Sequence, residues 1–225
     1  VKSGQIKVKV PDKNKDFDIS HKFSDQDYFL PDHWSLVKGY LVGPKANLSF
    51  ANLLNADLQN TNLEDADLSN AILDGVKSGG ILGGKPKSLP NGWFTNKGGF
   101  LIGPGANLDG SQLNRVSFED KNITGIDLTS SVLSNIRSGN VTLDRGAEAQ
   151  LPDEWQLSGG WLLGPTANLS YETLSNIALP NGTDLSNANL NGLKSNNISG
   201  NPELPSGWAL VKQEKTNSGF LLGPG

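Results

Sequence analysis

The chain has 225 residues, 36% of them hydrophobic, with 27 glycines, 12 prolines and a formal net charge of -4. Charge so nearly balanced argues against a basic nucleic-acid-binding surface, and no run of 18 apolar residues is present to span a membrane. Cysteine is absent, which excludes disulfides, thiol chemistry and thiolate metal sites.

The opening VKSGQI, Val1 to Ile6, matches VKSGGI at Val76 to Ile81, and the closing GFLLGPG matches GFLIGPG at Gly99 to Gly105. On these matches, and because methionine is absent, the chain reads as a segment of a longer repetitive protein. Residues 7–29 break the pattern with a charged insertion rich in Lys13, Lys15, Asp16 and Asp18. It reads as a surface loop, with Phe17, Phe23, Tyr28 and Phe29 available to fold back; such insertions are tolerated at little closure cost.

Next comes LPDHW, ending at Trp34, a phrase repeated at Trp93, Trp155 and Trp208. After each tryptophan follow an aromatic (Tyr40, Phe100, Trp161 or Phe220), apolar residues and a Gly-Pro pair. Repetition in every unit points to packing, with a tryptophan plate covering part of the fold. The other use of Trp34, Trp93, Trp155, Trp161 and Trp208 is a ligand surface, stacking on sugar rings or on another protein.

Between the Trp phrases lie runs with leucine at every fifth place. The first places Leu48, Leu53, Leu58, Leu63, Leu68 and Leu73 two residues after Ala46, Ala51, Ala56, Thr61, Ala66 and Ala71. Period five fits neither helix nor strand. A chain turning one corner every five residues satisfies it, with the leucine and its small companion inward and the rest in water. The intervening Asn or Asp suits a side-chain-to-backbone hydrogen bond at a turn.

This wording, A(D/N)Lxx repeated six times without a gap, resembles the pentapeptide repeat family. The resemblance implies an all-β fold, a right-handed quadrilateral parallel β-solenoid with four pentapeptides to a coil. One copy alone cannot bury its apolar residues, so repeats must stack.

The second run keeps the spacing at Leu108, Leu113, Phe118, Ile123, Leu128 and Leu133, with Lys121 a misfit in the small-residue column. Its ammonium is expected to snorkel outward or the backbone to tilt there. The third run holds Leu169, Leu174 and Leu179, then slips by one residue at Pro180-Asn181-Gly182 before Leu185 and Leu190. A one-residue bulge is expected to restore the inward direction of Leu185, and Glu172 in a small-residue place to distort the corner. The Gly-Pro prolines Pro44, Pro104, Pro165 and Pro224 stand 60, 61 and 59 residues apart. With coils of about 20 residues, each unit is expected to fill three coils, and equivalent Trp segments to stack on one side.

The expected organisation is therefore one continuous solenoid over 1–225, of about 11 coils. Its units are 1–75 (with the insertion 7–29), 76–135, 136–193 and a partial 194–225. No nucleophile elbow, zinc-protease, phosphate-loop or dinucleotide motif is present. His21 and His33, the only histidines, lack metal-ligand spacing. Neither enzyme, metal nor cofactor is expected.

The leading functional reading is a structural module of a long bacterial surface or extracellular protein: a rigid rod, spacer or self-assembling filament or matrix subunit. Its partners are then itself, end to end or laterally, or neighbouring repeats. The alternative is an adhesin module that binds polysaccharide or protein through the Trp faces. The resemblance also raises a DNA-mimicking, gyrase-binding role, because some members resemble B-form DNA in shape and negative surface. Balanced charge and interrupted runs depart from that pattern.

Overall fold

The computed structural model describes residues 30–224. The expectations for the opening VKSGQI, for the insertion 7–29 and for His21 lie outside the described residues. Within them the fold is all-β, with no helix. The chain divides into two compact units, one ending at Asn107 and the other beginning at Leu108.

In the first unit, β1 (Ser35–Val37) and β2 (Tyr40–Val42) form an antiparallel hairpin, and so do β3 (Phe94–Thr95) and β4 (Leu101–Ile102). Between the hairpins the leucine run pairs with itself in parallel. Asn47 bridges Asp67, Asn52 bridges Ile72, Asp57 bridges Lys77 and Asn62 bridges Leu82, each twenty residues on. The chain thus returns beside itself after four pentapeptides. Leu48 donates its N–H to the Asp67 carbonyl at 2.7 Å, and Asp67 donates to the Ala46 carbonyl at 2.8 Å. Backbone pairing therefore runs from pass to pass, as short corner-bounded segments require.

The corners explain the repeat wording. Ala51 donates its N–H to the Leu48 carbonyl at 3.0 Å, closing a turn over Ser49 and Phe50. The same bond recurs from Ala56 to Leu53, Ala66 to Leu63 and Ala71 to Leu68. The residue two after each leucine takes positive φ: Phe50 61°, Asn55 54°, Asn60 57°, Asp65 54° and Asn70 57°. Such turns need a left-handed residue at their third place, which Asn, Asp and Gly supply most readily. The Asn or Asp before each leucine accepts from the residue after it, as in Gln59 N–H to Asp57 at 3.0 Å and Glu64 N–H to Asn62 at 2.9 Å. The small residue and the leucine point inward. Leu48, Leu53, Leu58, Leu63 and Leu68 have no exposed surface and Leu73 1%. Each removes a whole aliphatic side chain from water, worth about 1.5–3 kcal/mol on transfer scales.

In the second unit, β5 (Gln112–Asn114) pairs in parallel with β6 (Val132–Ser134), again twenty residues on. Then β7 (Gln156–Ser158) and β8 (Trp161–Leu163) make a third antiparallel hairpin. Parallel pairing resumes where β9 (Thr173–Ser175) meets β11 (Lys194–Asn196) and where β10 (Ala178–Leu179) meets β12 (Ile198–Gly200). The last hairpin is β13 (Ala209–Lys212) with β14 (Ser218–Leu222), and β14 also pairs antiparallel with β12. Leu108, Leu113, Phe118, Ile123, Leu128, Leu133, Leu169, Leu174, Leu179, Leu185 and Leu190 are all buried.

Three local readings meet the structure differently. At Pro180–Gly182 the extra residue lies before the corner, which starts one place after Leu179 and closes as an ordinary turn: Thr183 donates to the Pro180 carbonyl at 3.1 Å, and Leu185 is fully buried. At Glu172 no distortion of the corner is seen. Its N–H still donates to Leu169 at 3.3 Å, because the carboxylate turns aside to Arg137. Lys121 is half-buried and keeps its turn bond to the Phe118 carbonyl at 3.1 Å.

The links correct the sequence reading more deeply. Parallel pairing, expected throughout them, continues into their first part, where Leu82 bridges Asn62, Ser88 bridges Asp67 and Thr142 bridges Asn122. The stretch from each LPxxW to its Gly-Pro pair folds as an antiparallel hairpin instead. In two of them the cause is local: Lys38 (φ 49°) with Gly39 (φ 80°), and Gly159 (φ 55°) with Gly160 (φ 82°), form two-residue loops with both residues left-handed. That geometry matches the natural twist of antiparallel strands. Because a hairpin stands outside the ladder, Lys77 finds its next partner at Asn107, thirty residues on rather than twenty. Asn47 therefore stands in a ladder with Asp67 and Ser88, whereas Asn107 stands in one with Lys77 and Asp57. From Asn47 to Asn107 the chain makes fewer than three such returns, and these two run starts do not fall in one ladder.

Candidate functional site

Tryptophans 34, 93, 155 and 208 share one arrangement. Each donates its N–H to the carbonyl of the proline three residues before it, at 3.0–3.1 Å. The residue just before the tryptophan is left-handed: His33 and Glu154 at φ 69°, Gly92 at 80° and Gly207 at 82°. So LPxxW is a turn that presents an indole. The ring lies on the glycine of the Gly-Pro pair: a Cβ on Gly43, Gly103 or Gly164 would meet the ring at 2.3 Å, and on Gly223 at 2.1 Å. That approach is the reason for glycine at those places, none of which has a left-handed φ. All four indoles are half-buried, with one face taken by glycine.

Trp161 belongs to another position, the start of the second hairpin strand. Its ring edge packs on Gly139, 3.3 Å from a Cβ placed there, as Phe100 packs on Gly79 at 2.9 Å. Beneath these aromatics a serine anchors the hairpin. Leu101 donates its N–H to Ser78 Oγ at 2.9 Å, Leu162 to Ser138 Oγ at 2.9 Å and Leu221 to Ser195 Oγ at 2.8 Å.

Within the second unit Trp161 lines an open groove of about 350 Å³, at the low end of ligand clefts. Tyr171, 82% exposed, also lines it, at a left-handed corner with φ 61°. A Cβ on Gly192 would meet the Tyr171 ring at 2.6 Å, so this ring too rests on a glycine. Carboxylates of Glu119, Asp120 and Glu172 complete the lining with Asn140. Arg137 bridges two of them, its Nε 3.2 Å from Glu119 Oε1 and its other arm on Glu172. Asn140 donates to Asp120 Oδ1 at 3.1 Å, and Ser117 Oγ to Glu119 Oε2 at 3.2 Å. Among the described residues no group of three or more His, Asp or Glu side chains gathers to hold a metal ion.

Of the groove residues, sequence reasoning singled out Trp161 as a candidate surface and Glu172 only as a misfit. Glu119, Asp120, Asn140 and Tyr171 were missed. One signal was available: ANLSY at 167–171 puts a large ring where the corner wants Asn, Asp or Gly, as ANLSF does at 46–50.

Residues 45–77 match the family model described as pentapeptide repeats (8 copies). No curated protein and no solved structure matches the chain. No helix among the described residues is long and apolar enough to cross a membrane.

Proposed function

The chain carries pentapeptide repeats, and on that premise we propose that it is a structural module, a stiff spacer or assembly subunit. In this reading the runs form right-handed, four-sided coils. A twenty-residue return made of four five-residue sides supports that geometry. The hairpins then pack on the coils, with Val42, Leu101, Ile102, Leu162 and Leu163 buried, and the first two lie on different sides, since Asn47 and Asn107 stand in different ladders. The reading has about 11 coils only if links are coiled; hairpins reduce that number.

The observation that carries the proposal is the indole-on-glycine contact repeated in all four links. A ring used that way fastens a hairpin, which favours a mechanical part over an array of four equivalent ligand platforms. No catalytic role is assigned, because the sequence offers no nucleophile or metal motif. Placement outside the cell, at a bacterial surface, rests on composition: no cysteine and an outer surface of Asn, Ser and Gly.

Negative-stain microscopy and small-angle scattering over a concentration series test this. Elongated particles, single or joined end to end, are the expected result. A compact particle at every concentration would overturn the spacer reading.

A further inference from the structure

We propose that the groove lined by Trp161 and Tyr171 binds a neutral sugar unit of a polysaccharide. Each ring lies against a glycine: the Trp161 edge on Gly139 and Tyr171 on Gly192. Tyr171 gains little from burial at 82% exposure, and its left-handed φ of 61° is unfavourable for a bulky side chain. The turn itself does not require a ring at this corner, where Asn55, Asn60 and Asn70 serve elsewhere and Phe50 is the aromatic counterpart in the first run.

The rest of the lining supplies the complementary half. Glu119, Asp120 and Glu172 present acceptors, and Arg137 holds Glu119 and Glu172 in place by bridging them. An ionised carboxylate only accepts hydrogen bonds, so the matching ligand must bring several donors on a ring with an apolar face. A sugar does both, laying its C–H face on an aromatic ring while its hydroxyls donate outward. Three carboxylates against one guanidinium leave the groove negative, which disfavours uronates, sulfated sugars and phosphates. The groove is open rather than closed over, which suits a polymer running across it. The ten-residue aromatic spacing of Trp161 and Tyr171 recurs at Tyr40 and Phe50, and is broken at Phe100 and Gly110. Sugar binding is therefore a property of particular units, added to the mechanical role and independent of it.

Calorimetric titration of the 225-residue protein with soluble oligomers of glucose and of N-acetylglucosamine tests the proposal, with polygalacturonate as the anionic control. Heat of binding is expected for at least one neutral series and none for the control. Tyr171→Ala should weaken that binding about tenfold or more while leaving the melting temperature unchanged, because the ring is exposed. Glu172→Gln should weaken it as well. Absence of binding to either neutral series at millimolar concentration would overturn the proposal. So would unchanged affinity in Tyr171→Ala, or equal binding of polygalacturonate. None of these outcomes alters particle shape, so the spacer reading stands or falls separately.

Discussion

The indole of Trp155 lies flat enough on Gly164 that a single added methyl group would sit 2.3 Å from Cδ2. Gly164→Ala must therefore displace the ring or the backbone of the hairpin. Overpacking of this kind costs about 1–3 kcal/mol. The backbone conformation of Gly164 is not left-handed, so the loss would be steric alone. Urea denaturation should show it, and the double substitution Trp155→Ala with Gly164→Ala should cost less than the sum of the two singles. Strict additivity would mean that ring and glycine do not press on each other.

Beneath the same hairpin, Ser138 is 1% exposed and accepts from the Leu162 N–H at 2.9 Å. Removing the hydroxyl leaves a buried backbone donor without that acceptor. Ser138→Ala should destabilise the second unit by about 1–3 kcal/mol. Hydrogen exchange gives the sharper readout. The Leu162 amide should exchange faster in the variant, whereas the Leu169 amide, bonded to the Asn189 carbonyl at 2.9 Å, should change less. Equal acceleration at both would point to global loosening and remove the serine as a local anchor.

The leucine column and the turn-forming Asn or Asp were legible because their contacts repeat at the period of the sequence. Leu58 meets the same surroundings as Leu53 and Leu63. The links were not legible for the opposite reason. Their strands are only two to five residues long, and Gly159-Gly160 reads equally well as a corner or as a hairpin loop. The Trp155–Gly164 contact has no periodic signature, and Trp208 reaches a glycine fifteen residues away where Trp155 reaches one nine away. The groove is hardest to foresee: it draws Glu119, Asn140, Trp161 and Tyr171 from separate stretches, joined only by pass-to-pass pairing.

Among the described residues, Asp67 carries the one large titration effect. The Ser88 hydroxyl, then the Ser69 side chain and N–H, hold its carboxyl down from 3.8 to about 2. A carboxyl whose value falls on folding stabilises the fold fully above its ordinary 3.8. That contribution is lost as pH falls through the folded value of about 2. Ser88→Ala should raise the Asp67 value, seen directly by carboxyl NMR titration, and shrink the stability difference between neutral pH and pH about 2. An unmoved titration would show that Ser88 is not the main cause. Asp127, lowered by the Thr129 hydroxyl and N–H, should respond in the same direction to Thr129→Val.

The corners offer a test that separates conformation from contact. Asn70 is exposed, with φ 57°, so substitution there changes little burial. Glycine takes positive φ without a Cβ penalty, and Asn70→Gly should leave the melting temperature nearly unchanged. Valine is branched at Cβ and poorly suited to that region, where an ordinary residue is strained by roughly 1–2 kcal/mol. Asn70→Val should lower stability by about that amount, even though valine is the better strand former in general scales. If valine were tolerated as well as glycine, the left-handed corner would not be what the fifth place selects. The frequency of Asn there would then need another cause, such as the pass-to-pass side-chain bond seen between Asn197 and Asn176 at 2.8 Å.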